Sequence, residues 1–593
     1  MDLYLSYQKE AEKGYSTKKK QLQMWVILRI LTFLATLVGV LLLSDLSWIS
    51  ASVAGFAGLI LFLVFVVIHQ KVKKQFLYFQ KKRTLIEAEK QRLQYQFDNL
   101  PTGEAYLDSL HPYTRDLDIF GKGSLFSFLS RTHTLLGEKR LAQWLRFPSL
   151  DTQILTQRQQ AIQELAQKTD LRLHFQTTAH LSEENAQEQT VLNTWLQNEP
   201  AFPTQKNSFL LLQVLRWALP LLTILAWIAA ILGQISYSFS INFSILQLVL
   251  IGLFQKKLLT VYQGVGKNIA FLQKCATLWQ IIEQQNFESP SLQKIQQNLK
   301  GSKLAATYLL KKLNLFEYRF NGFAFVILNG LFLWDIQLAL ALENWRTAYQ
   351  QKVPLWLEAL AETEALMSLA SFAFNHPNYH YPTFSQEPIL KTTDIAHPLI
   401  PENQRVSNHF TLNRLGEVAL ITGANMAGKS TFLRTLGINT VLANLGAPLP
   451  ASHFEYRPLE IFTSMRIIDS LQDGTSSFFA ELKRLKQILD TLQTKRPHLI
   501  LLDEILRGTN SKDRYLGSEA VIKQLLKLPA ASVIASHDVA LGNLINDFPN
   551  QIKNYAFEVE NVAEGLHYPY KISEGICQNT NAVFLMQKMG IQI

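Results

Sequence analysis

Four long apolar runs stand out in a chain that otherwise mixes apolar and polar positions. Met24 to Leu43 and Trp48 to Ile68 form one close pair, and about Phe209 to Leu232 and Ile235 to Phe254 form a second. Each run is about as long as the ~20 residues that an α-helix needs to cross a bilayer. The pattern predicts four transmembrane helices in two hairpins, with helices buried in a protein core as the alternative.

Basic residues flank both hairpins on one side. Three consecutive lysines, 18–20, precede the first run, and a lysine-rich stretch, 71–83, follows the second run. Lys206 precedes the second hairpin and Lys256-Lys257 follow it, whereas neither turn carries Lys or Arg. The positive-inside rule then places both chain termini in the cytoplasm. We therefore expect an integral protein of the cytoplasmic (inner) membrane that contacts the lipid bilayer through four helices.

Two arginines lie near the start of the first helix of each hairpin, Arg29 and Arg216. They predict either a buried polar contact between the hairpins or side chains that snorkel to the cytoplasmic interface. The first apolar run follows more than twenty residues and lacks a small-residue cleavage site, so no cleavable signal peptide is expected.

The remaining patterns divide the chain into further parts. Residues 1–23 are expected to be a cytoplasmic N-terminus, 24–68 the first hairpin and 69–109 a basic cytoplasmic helix. Helical periodicity over 110–375 predicts a long-helix all-α core, interrupted by the second hairpin at 209–254. Phe323 to Leu342 is apolar, but Asn329, Asp335 and Gln337 interrupt it, which favours a buried core helix over a fifth membrane span. Residues 376–396 are expected to form a linker, and 397–593 alternate strands and helices, typical of a mostly parallel α/β sheet.

Charge and cysteine content narrow the function classes. The 593 residues carry a net charge of +10, but the basic stretches beside the apolar runs account for part of it and would attract anionic lipid. The charge is therefore weak support for nucleic-acid binding. The two cysteines, Cys275 and Cys577, predict neither a disulfide framework nor a cysteine-based metal site.

A glycine-rich loop carries the strongest chemical signal. The stretch Gly423-Ala-Asn-Met-Ala-Gly428-Lys429-Ser430 follows an apolar run and precedes a helical pattern, which fits the phosphate-loop motif G-x-x-x-x-G-K-[ST]. Backbone N–H groups would surround phosphates, Lys429 would reach the β- and γ-phosphates, and the Ser430 hydroxyl would ligate Mg²⁺. The motif predicts binding and hydrolysis of ATP or GTP. The candidate nucleotide-binding residues are Gly423, Ala424, Asn425, Met426, Ala427, Gly428, Lys429, Ser430 and Thr431.

Polar residues at the ends of two later apolar runs fit the same site. Asp503 and Glu504 end the run Leu499 to Leu502, so Asp503 is a candidate Mg²⁺ ligand and Glu504 a candidate for polarising the attacking water. His537 follows the run from Ser532 and could sense the γ-phosphate, or be an ordinary loop residue. With Lys429, these two side chains are the predicted catalytic groups. The hydroxyl-rich stretch from Gly474 to Ser477 predicts a capped helix N-terminus, with or without an anion.

Together these motifs resemble the ATPase domain of the MutS family of DNA mismatch-repair ATPases. The resemblance rests on Thr422–Thr435, with Asn425-Met426 inside the loop, and on Gly474–Leu482, Leu501–Asn510 and Ala535–Asp538. The tail Tyr570–Ile576, His397-Pro398 and Val406–Asn408 are similar to parts of the same domain. A weaker resemblance, to the start of the MutS core domain, covers about 110–165.

The resemblance implies an ATP-binding-cassette-type ATPase that uses ATP and Mg²⁺ and works as a homodimer. Gly474, Ser476 and Ser477 of one subunit would contact ATP bound to the other, and Asn510 and Asp513 would lie in a loop that communicates across the dimer. The chain departs from the family in having Leu506 and Arg514 where glycine is common. Asn510 replaces Ser or Asp, and Ser477 replaces Thr.

Three functions remain open at this point. The first is a membrane-anchored MutS-like ATPase that binds or remodels DNA, with ATP binding closing a dimer and hydrolysis reopening it. The family's mismatch-reading domain, with its Phe-x-Glu motif, has no counterpart in residues 1–110, because Phe479-Ala-Glu481 is the only such spelling. The second is a membrane assembly or signalling ATPase that acts on a protein partner. The third is a transporter, which the signature Gly474-Thr-Ser-Ser477 does not favour.

Overall fold

The computed structural model describes residues 2–182, 186–202, 207–466, 477–493, 496–562 and 565–578. In chain order its α-helices are α1 (Asp2–Ser44), α2 (Trp48–Leu93), α3 (Leu125–Leu129), α4 (Leu135–Arg146), α5 (Thr152–Gln167), α6 (Thr169–Ala179), α7 (Ala186–Gln197), α8 (Asn207–Ile231), α9 (Tyr237–Val265), α10 (Ile269–Glu283), α11 (Pro290–Leu299), α12 (Ser302–Phe316), α13 (Gly322–Phe332), α14 (Trp334–Tyr349), α15 (Lys352–Asn375), α16 (Lys429–Asn444), α17 (Ser477–Thr491) and α18 (Ser511–Leu525). Short 3-10 helices occur at Glu104–Tyr106, Gly266–Asn268, Glu317–Phe320 and Val539–Asn546.

The first hairpin is longer than its apolar runs. Helices α1 and α2 pack antiparallel around a short turn, and the Ser47 hydroxyl caps α2 by accepting the N–H of Ile49. Both helices continue through their polar flanks, so residues 69–93 of the predicted basic helix 69–109 are the second half of α2, which ends at Leu93. In the apolar halves large side chains are exposed, with Phe33 at 60% and Phe56 at 67%. The polar halves pack instead against each other and the rest of the protein.

Four described helices are long and apolar enough to cross a membrane, judged by length and composition. Their candidate spans are Leu3–Ser44, Trp48–Leu93, Val214–Ile231 and Tyr237–Val265. A fifth would be added if α13 and α14, which meet at a bend of 80°, counted as one span.

Neither Arg29 nor Arg216 contacts the other hairpin through a described hydrogen bond. The Arg29 guanidinium lies 3.4 Å from His69 Nδ1 and 5.4 Å from the Phe62 ring centroid, both on α2. The Arg216 guanidinium lies over the neighbouring Trp217 ring. Of the two expectations, the contact between hairpins is not seen among the described contacts, while pairing at the polar end of hairpin 1 fits snorkelling.

The apolar segment 323–342 differs from the single buried helix that the sequence predicts. It breaks at Leu333, which has a left-handed φ of 50°. Helix α14 is largely buried, with Asp335 and Leu342 at 0% exposure, but α13 leaves Phe323 80% exposed. The polar residues that argued against a membrane span therefore mark the break between two helices with different surroundings.

The other helices form a core around α15. This helix packs against α4, α5, α10 and α11, and its Glu364 carboxylate accepts the backbone N–H groups of His133 and Thr134 and the Thr134 hydroxyl. A buried carboxylate is tolerated when several donors satisfy it. Glu364 thus fixes the start of α4 against the middle of α15.

A second buried carboxylate joins three distant segments. Glu89, near the end of α2, accepts two 3.0 Å hydrogen bonds from Arg131 and one of 3.1 Å from Arg92. Asn375, the last residue of α15, donates to Glu89 at 2.7 Å and accepts from the Tyr4 hydroxyl of α1 at 2.8 Å. The polar ends of hairpin 1, the helical core and the exit of α15 therefore meet at one buried ionic cluster.

The C-terminal part contains two main sheets. The strands are β1 (Thr383–Phe384), β2 (Leu390–Ile395), β3 (Asn408–Leu412), β4 (Glu417–Gly423), β5 (His453–Tyr456), β6 (Glu460–Ser464), β7 (His498–Asp503), β8 (Ala530–Ser536), β9 (Ile552–Phe557), β10 (Glu560–Val562), β11 (Gly565–His567) and β12 (Ile572–Glu574). Six form a sheet in the order β12-β9-β4-β8-β7-β6, parallel except for β12 at one edge. The mostly parallel sheet agrees with the sequence.

A smaller mixed sheet has the order β1-β5-β2-β3. Its strands β1 and β2 lie in the segment 376–396, for which the sequence predicts a linker. The start of the helical core also packs onto the larger sheet, because Asp116 Oδ2 accepts from the Thr463 hydroxyl and the Met465 N–H at 2.7 and 3.0 Å. The helical and α/β parts therefore form one packed body.

The cluster around Glu89 predicts a stability effect. Glu89→Gln leaves two buried arginines with less compensation, and breaking a buried ion pair costs about 3 kcal/mol. Thermal unfolding of the full chain, followed by tryptophan fluorescence, should show a clearly lower midpoint. Glu87→Gln is the matched control, since Glu87 lies on the same helix with its side chain 55% exposed. Equal midpoints for the two variants would contradict the structural role assigned to Glu89.

Candidate active site

The glycine-rich loop lies between a buried strand and a helix. Every residue of β4 is buried, and α16 begins at Lys429, after Gly428 with a left-handed φ of 108°. Met426 also has a positive φ, 64°, and is 84% exposed. Gly428 adopts its left-handed conformation without strain because it has no side chain. The first N–H groups of α16 lie beside the loop, as an anion-binding site would require. The predicted strand–loop–helix context is therefore present.

Lys429 is directed into its own loop. Its ammonium donates to the carbonyls of Gly423 at 2.9 Å and Ala424 at 2.8 Å. The side chain is largely buried, and burial lowers its pKa from the ordinary value, opposed by the nearby carboxylates of Glu504 and Asp503. A buried ammonium held by two loop carbonyls is placed to exchange them for phosphate oxygens.

The ends of three neighbouring strands bring the predicted acids to this loop. Strands β4, β8 and β7 are adjacent and in register, so that Thr422 faces Ser536 and Asp503 faces Ala535. Because carboxyl ends of parallel strands share one edge of a sheet, the residues that follow them converge. The sequence predicts which residue types lie at these strand ends, and the register of the strands shows that the residues meet at one edge of the sheet.

Asp503 and Ser430 offer oxygen ligands for a cation. Burial raises the pKa of the Asp503 carboxyl, and the neighbouring Ser430 hydroxyl opposes that rise. Asp503 Oδ1 is buried without a hydrogen-bond partner. Among the described residues no group of three or more His, Cys, Asp or Glu could hold a metal. A hydroxyl, one carboxylate and nucleotide phosphates suit Mg²⁺, which seldom uses an all-protein cage.

Glu504 and His537 contact each other beside the loop. His537 Nε2 lies 2.5 Å from Glu504 Oε1, and His537 Nδ1 lies 3.0 Å from the Gly423 carbonyl oxygen. His537 Nδ1 also lies 3.4 Å from the Lys429 ammonium, so the imidazole contacts the loop, its lysine and Glu504 together. Contact with His537 holds the pKa of the Glu504 carboxyl below its ordinary value. Glu504 is therefore ionised near neutral pH.

Arg507 is a site residue that the sequence analysis did not single out. Its Nε lies 2.8 Å from Glu504 Oε2 and its Nη2 lies 3.8 Å from Asp503 Oδ2. One guanidinium thus faces both acids of the strand end. No motif or helical pattern marks Arg507 in the sequence, apart from its position three residues after Glu504.

The loop after Glu504 is held in an unusual backbone conformation. Leu506, where the family commonly has glycine, has a φ of 61° and is buried. Its N–H donates to the buried Glu481 carboxylate of α17, and its side chain covers Gly517 of α18. Burial and the hydrogen bond offset the strain of a left-handed leucine, which is of order 1 kcal/mol or more. Glu481, the glutamate of the Phe-x-Glu sequence, is therefore buried and already bonded within the protein.

A cavity of about 360 Å³ adjoins the glycine-rich loop. Its far side includes His397, Ile400 and Tyr570, and its near side includes Lys429 and Glu504. Burial lowers the pKa of His397 to about 4, so its ring is neutral at physiological pH. The cavity combines apolar and aromatic walls with a glycine-rich end that carries Lys429, a combination suited to a nucleotide.

A side chain from β3 fixes the cavity's aromatic wall. Asn408 donates from Nδ2 to the Tyr570 carbonyl at 3.1 Å and accepts from the Ile572 N–H at 2.9 Å. The resemblance had placed Asn408 and the Tyr570 tail in one domain, and the structure places them in direct contact. His397 and Tyr570 lie in segments that carry the resemblance, but their role as pocket walls was not predicted.

The remaining predicted site residues have different outcomes. Gly474 and Ser476 lie outside the described residues, as does the side chain of Ser477, whose backbone begins α17. Asn510 caps α18 by accepting the N–H of Asp513 at 2.9 Å, and its amide donates to the Asp513 carboxylate. The local bonds explain these two residues as a helix cap, and their role across a dimer stays a prediction.

Substitutions at Leu506 and Gly517 should have coupled effects on the free energy of unfolding, because the two residues pack against each other. A Cβ at position 517 would lie 2.4 Å from Leu506 Cδ1, so Gly517→Ala should cost about 1 kcal/mol through overpacking. In a Leu506→Ala background the clash is absent, and the same change should stabilise α18 by about 1 kcal/mol. Unfolding of all four proteins gives the coupling, and an equal effect of Gly517→Ala in both backgrounds would refute it.

Two segments of the chain are similar to parts of known proteins. Residues 419–591 match the family model of MutS domain V, and residues 108–187 match that of MutS domain III. The DNA mismatch repair protein MutS of Thermotoga neapolitana is 31% identical over 226 residues, which are 38% of this chain and 28% of that protein. MutS protein homolog 4 of Homo sapiens is 30% identical over 238 residues, 38% of this chain and 25% of that protein.

The DNA mismatch repair protein MutS of Natronomonas pharaonis is 29% identical over 248 residues, 41% of this chain and 28% of that protein. The chain therefore spans about a quarter of the length of these relatives. Two segments of this chain, 108–187 and 419–591, are therefore similar to domains III and V of the MutS family.

Proposed function

We propose that this chain is a membrane-anchored, Mg²⁺-dependent ATPase of the MutS type. The observation that carries the proposal is the convergence of Lys429, the Ser430–Asp503 pair and the Glu504–His537 pair at one edge of the parallel sheet. Each group matches a role needed for phosphoryl transfer to water, and the roles are complementary.

Nucleotide binding uses the loop and the cavity together. The phosphates lie at the start of α16, where N–H groups and the Lys429 ammonium compensate their charge. The base lies in the cavity between His397 and Tyr570, whose rings line its far side. The residues from Gly423 to Thr431 then bind ATP as the motif predicts.

The acids divide the chemical work. Ser430 and Asp503 would hold Mg²⁺, which supplies charge compensation at the β- and γ-phosphates. Glu504, ionised because His537 stabilises its charged form, orients and polarises the attacking water. His537 is placed to hydrogen-bond the γ-phosphate when its contact with Glu504 loosens. Arg507 neutralises both carboxylates until the phosphates arrive.

The two hairpins support membrane anchoring. Four helices have the length and composition of membrane spans, and their large apolar side chains are exposed where a bilayer would cover them. The polar ends of hairpin 1 pack against the core through Glu89. With the basic flanks on that same side, the ATPase part and both termini lie in the cytoplasm, beneath the cytoplasmic (inner) membrane.

The family resemblance supports a homodimer of the ATP-binding-cassette type. In it Gly474, Ser476 and Ser477 of one subunit approach the ATP of the other, so ATP binding closes the dimer and hydrolysis reopens it. Helix α17 follows this stretch directly, and its Glu481 holds the Leu506 N–H two residues from Glu504. A change at the dimer interface can thereby reach the water-polarising carboxylate.

The substrate of this cycle is DNA in the first proposal, because two of the three relatives described above are named DNA mismatch repair proteins. ATP-dependent DNA binding or remodelling near the membrane is then the activity. A second candidate is an assembly or signalling ATPase acting on a membrane protein partner. One observation favours it: the only Phe-x-Glu glutamate, Glu481, is buried against Leu506 and cannot read a mismatch.

The proposed water-polarising role predicts the effect of Glu504→Gln. Hydrolysis by the purified full chain should fall by at least about 100-fold, while ATP binding is retained because the phosphate-binding groups are unchanged. Phosphate release and equilibrium binding of labelled ATP measure the two quantities. Glu519→Gln, the same substitution on α18 outside the cavity, should leave both near the native values. Native-like hydrolysis by Glu504→Gln would contradict the assigned role.

The DNA proposal predicts a response of the ATPase rate to nucleic acid. Matched duplex, mismatched duplex and branched DNA would be titrated at two salt concentrations, and at least one should change the rate and bind less tightly at higher salt. The preferred form would show whether mismatches matter. Full ATPase activity that is indifferent to every DNA would reject DNA as the substrate and favour the membrane protein partner.

A further inference from the structure

Helix α13 presents an apolar surface that the protein itself does not cover. None of its eleven residues is charged, and Phe323, Val326 and Ile327 are 80%, 53% and 40% exposed. The opposite face packs on hairpin 2, where α13 contacts α9 and α8. The exposed face is continuous with the exposed apolar residues of those two helices, including Val249 at 53%.

The contacts of α13 give its depth relative to hairpin 2. Just before α13 begins, the Phe320 ring packs on Tyr262, near the core end of α9, with centroids 5.1 Å apart. Near its other end, Gly330 lies against Ser244 and Leu248 of α9. At a rise of 1.5 Å per residue, Ser244 and Leu248 lie about 18 and 12 Å from Lys256 along α9, on the side away from the core. Half of a ~30 Å hydrocarbon core is about 15 Å.

The chain then turns back toward the core. Leu333 adopts a left-handed φ, and the Asn329 side chain accepts the N–H of Asp335 at 2.9 Å, which satisfies a backbone donor freed by the break. Farther along α14, Gln337 donates to the carbonyl of Arg216, near the core end of α8. Irregular backbone at membrane depth is tolerated only when protein groups satisfy it in this way.

We propose that α13 and the start of α14 form a re-entrant segment whose outer face is covered by lipid acyl chains. Helix α13 enters the bilayer beside α9 from the cytoplasmic side, reaches its middle at Gly330, and α14 returns. The inference rests on the proposed membrane anchoring by hairpin 2. Lipid is the occupant that the surface fits, because its exposed face carries no charge and continues the lipid-facing surface of α8 and α9.

The segment gives the ATPase a direct contact with the bilayer. Helix α14 leads through a short turn into α15, the central helix of the helical core. Helix α15 ends at Asn375, which is part of the Glu89 cluster. A movement of α15 that accompanies the ATP cycle would therefore displace a helix seated in lipid. The hairpins alone would only hold the protein at the membrane.

Depth-dependent quenching by brominated lipids tests the proposal. Cys275 and Cys577, both buried, are replaced in the full chain, and a bimane label is placed on single cysteines at Phe323, Phe332 and Val249. Leu304, on α12 and 76% exposed, is the control outside the membrane. The chain is reconstituted into phosphatidylcholine bilayers that carry bromine either near the headgroup or near the acyl-chain ends.

We expect the label at 323 to be quenched more by the shallow bromines and the label at 332 more by the deep ones. The label at 249 should be quenched and that at 304 should not. Quenching at 249 with none at 323 and 332 would overturn the re-entrant segment and leave the anchoring intact. Shallow quenching at both would mean that α13 lies on the surface, which also overturns it.

Absence of quenching at 249 as well would remove the membrane anchoring on which the inference rests. If 323 and 332 are unquenched but oxidation crosslinks Phe323→Cys between two chains, a second copy covers α13 and lipid does not. Each outcome therefore supports or rejects the lipid contact, and the label at 249 separates its failure from that of the anchoring.

Discussion

The buried carboxylate of Glu89 is the contact on which the arrangement of this protein depends. It joins the polar end of hairpin 1 to Arg131 in the domain III segment and to Asn375 at the exit of α15. A charge so deeply buried is stable only while all its partners are in place. The hairpin, the helical core and the chain leading to the α/β domain are therefore held together by contacts at one buried carboxylate.

The proposed active site also depends on a small number of buried contacts. The register of β4, β8 and β7 brings Lys429, Asp503 and His537 to one edge, and the Glu481–Leu506 hydrogen bond connects that edge to α17. Asp116 and Arg484 tie the same region to the helical core, the latter through a bond to the Pro112 carbonyl. Events at the sheet edge can thus reach the core by short, well-packed routes.

Local patterns in the sequence predicted much of this, and their failures have physical causes. The glycine-rich loop, Asp503 and Glu504 at the end of β7, and the four apolar helices were predicted because motif spacing and helix length are local properties. The break at Leu333, the strands β1 and β2, and the roles of Arg507 and Tyr570 depend on contacts between distant segments, which no local pattern encodes. Leu506 shows the limit most clearly, since a left-handed leucine is possible only where Glu481 and a buried cluster hold it.

The central claim is that one chain both resides in the membrane and binds ATP. The most direct test is photolabelling with an azido-ATP analogue on carbonate-washed membranes from cells that express the full chain, with Lys429→Ala as control. The account predicts that the chain stays in the washed membranes and is labelled, and that Lys429→Ala stays there unlabelled. Release of the chain by carbonate, or equal labelling of both proteins, would contradict it.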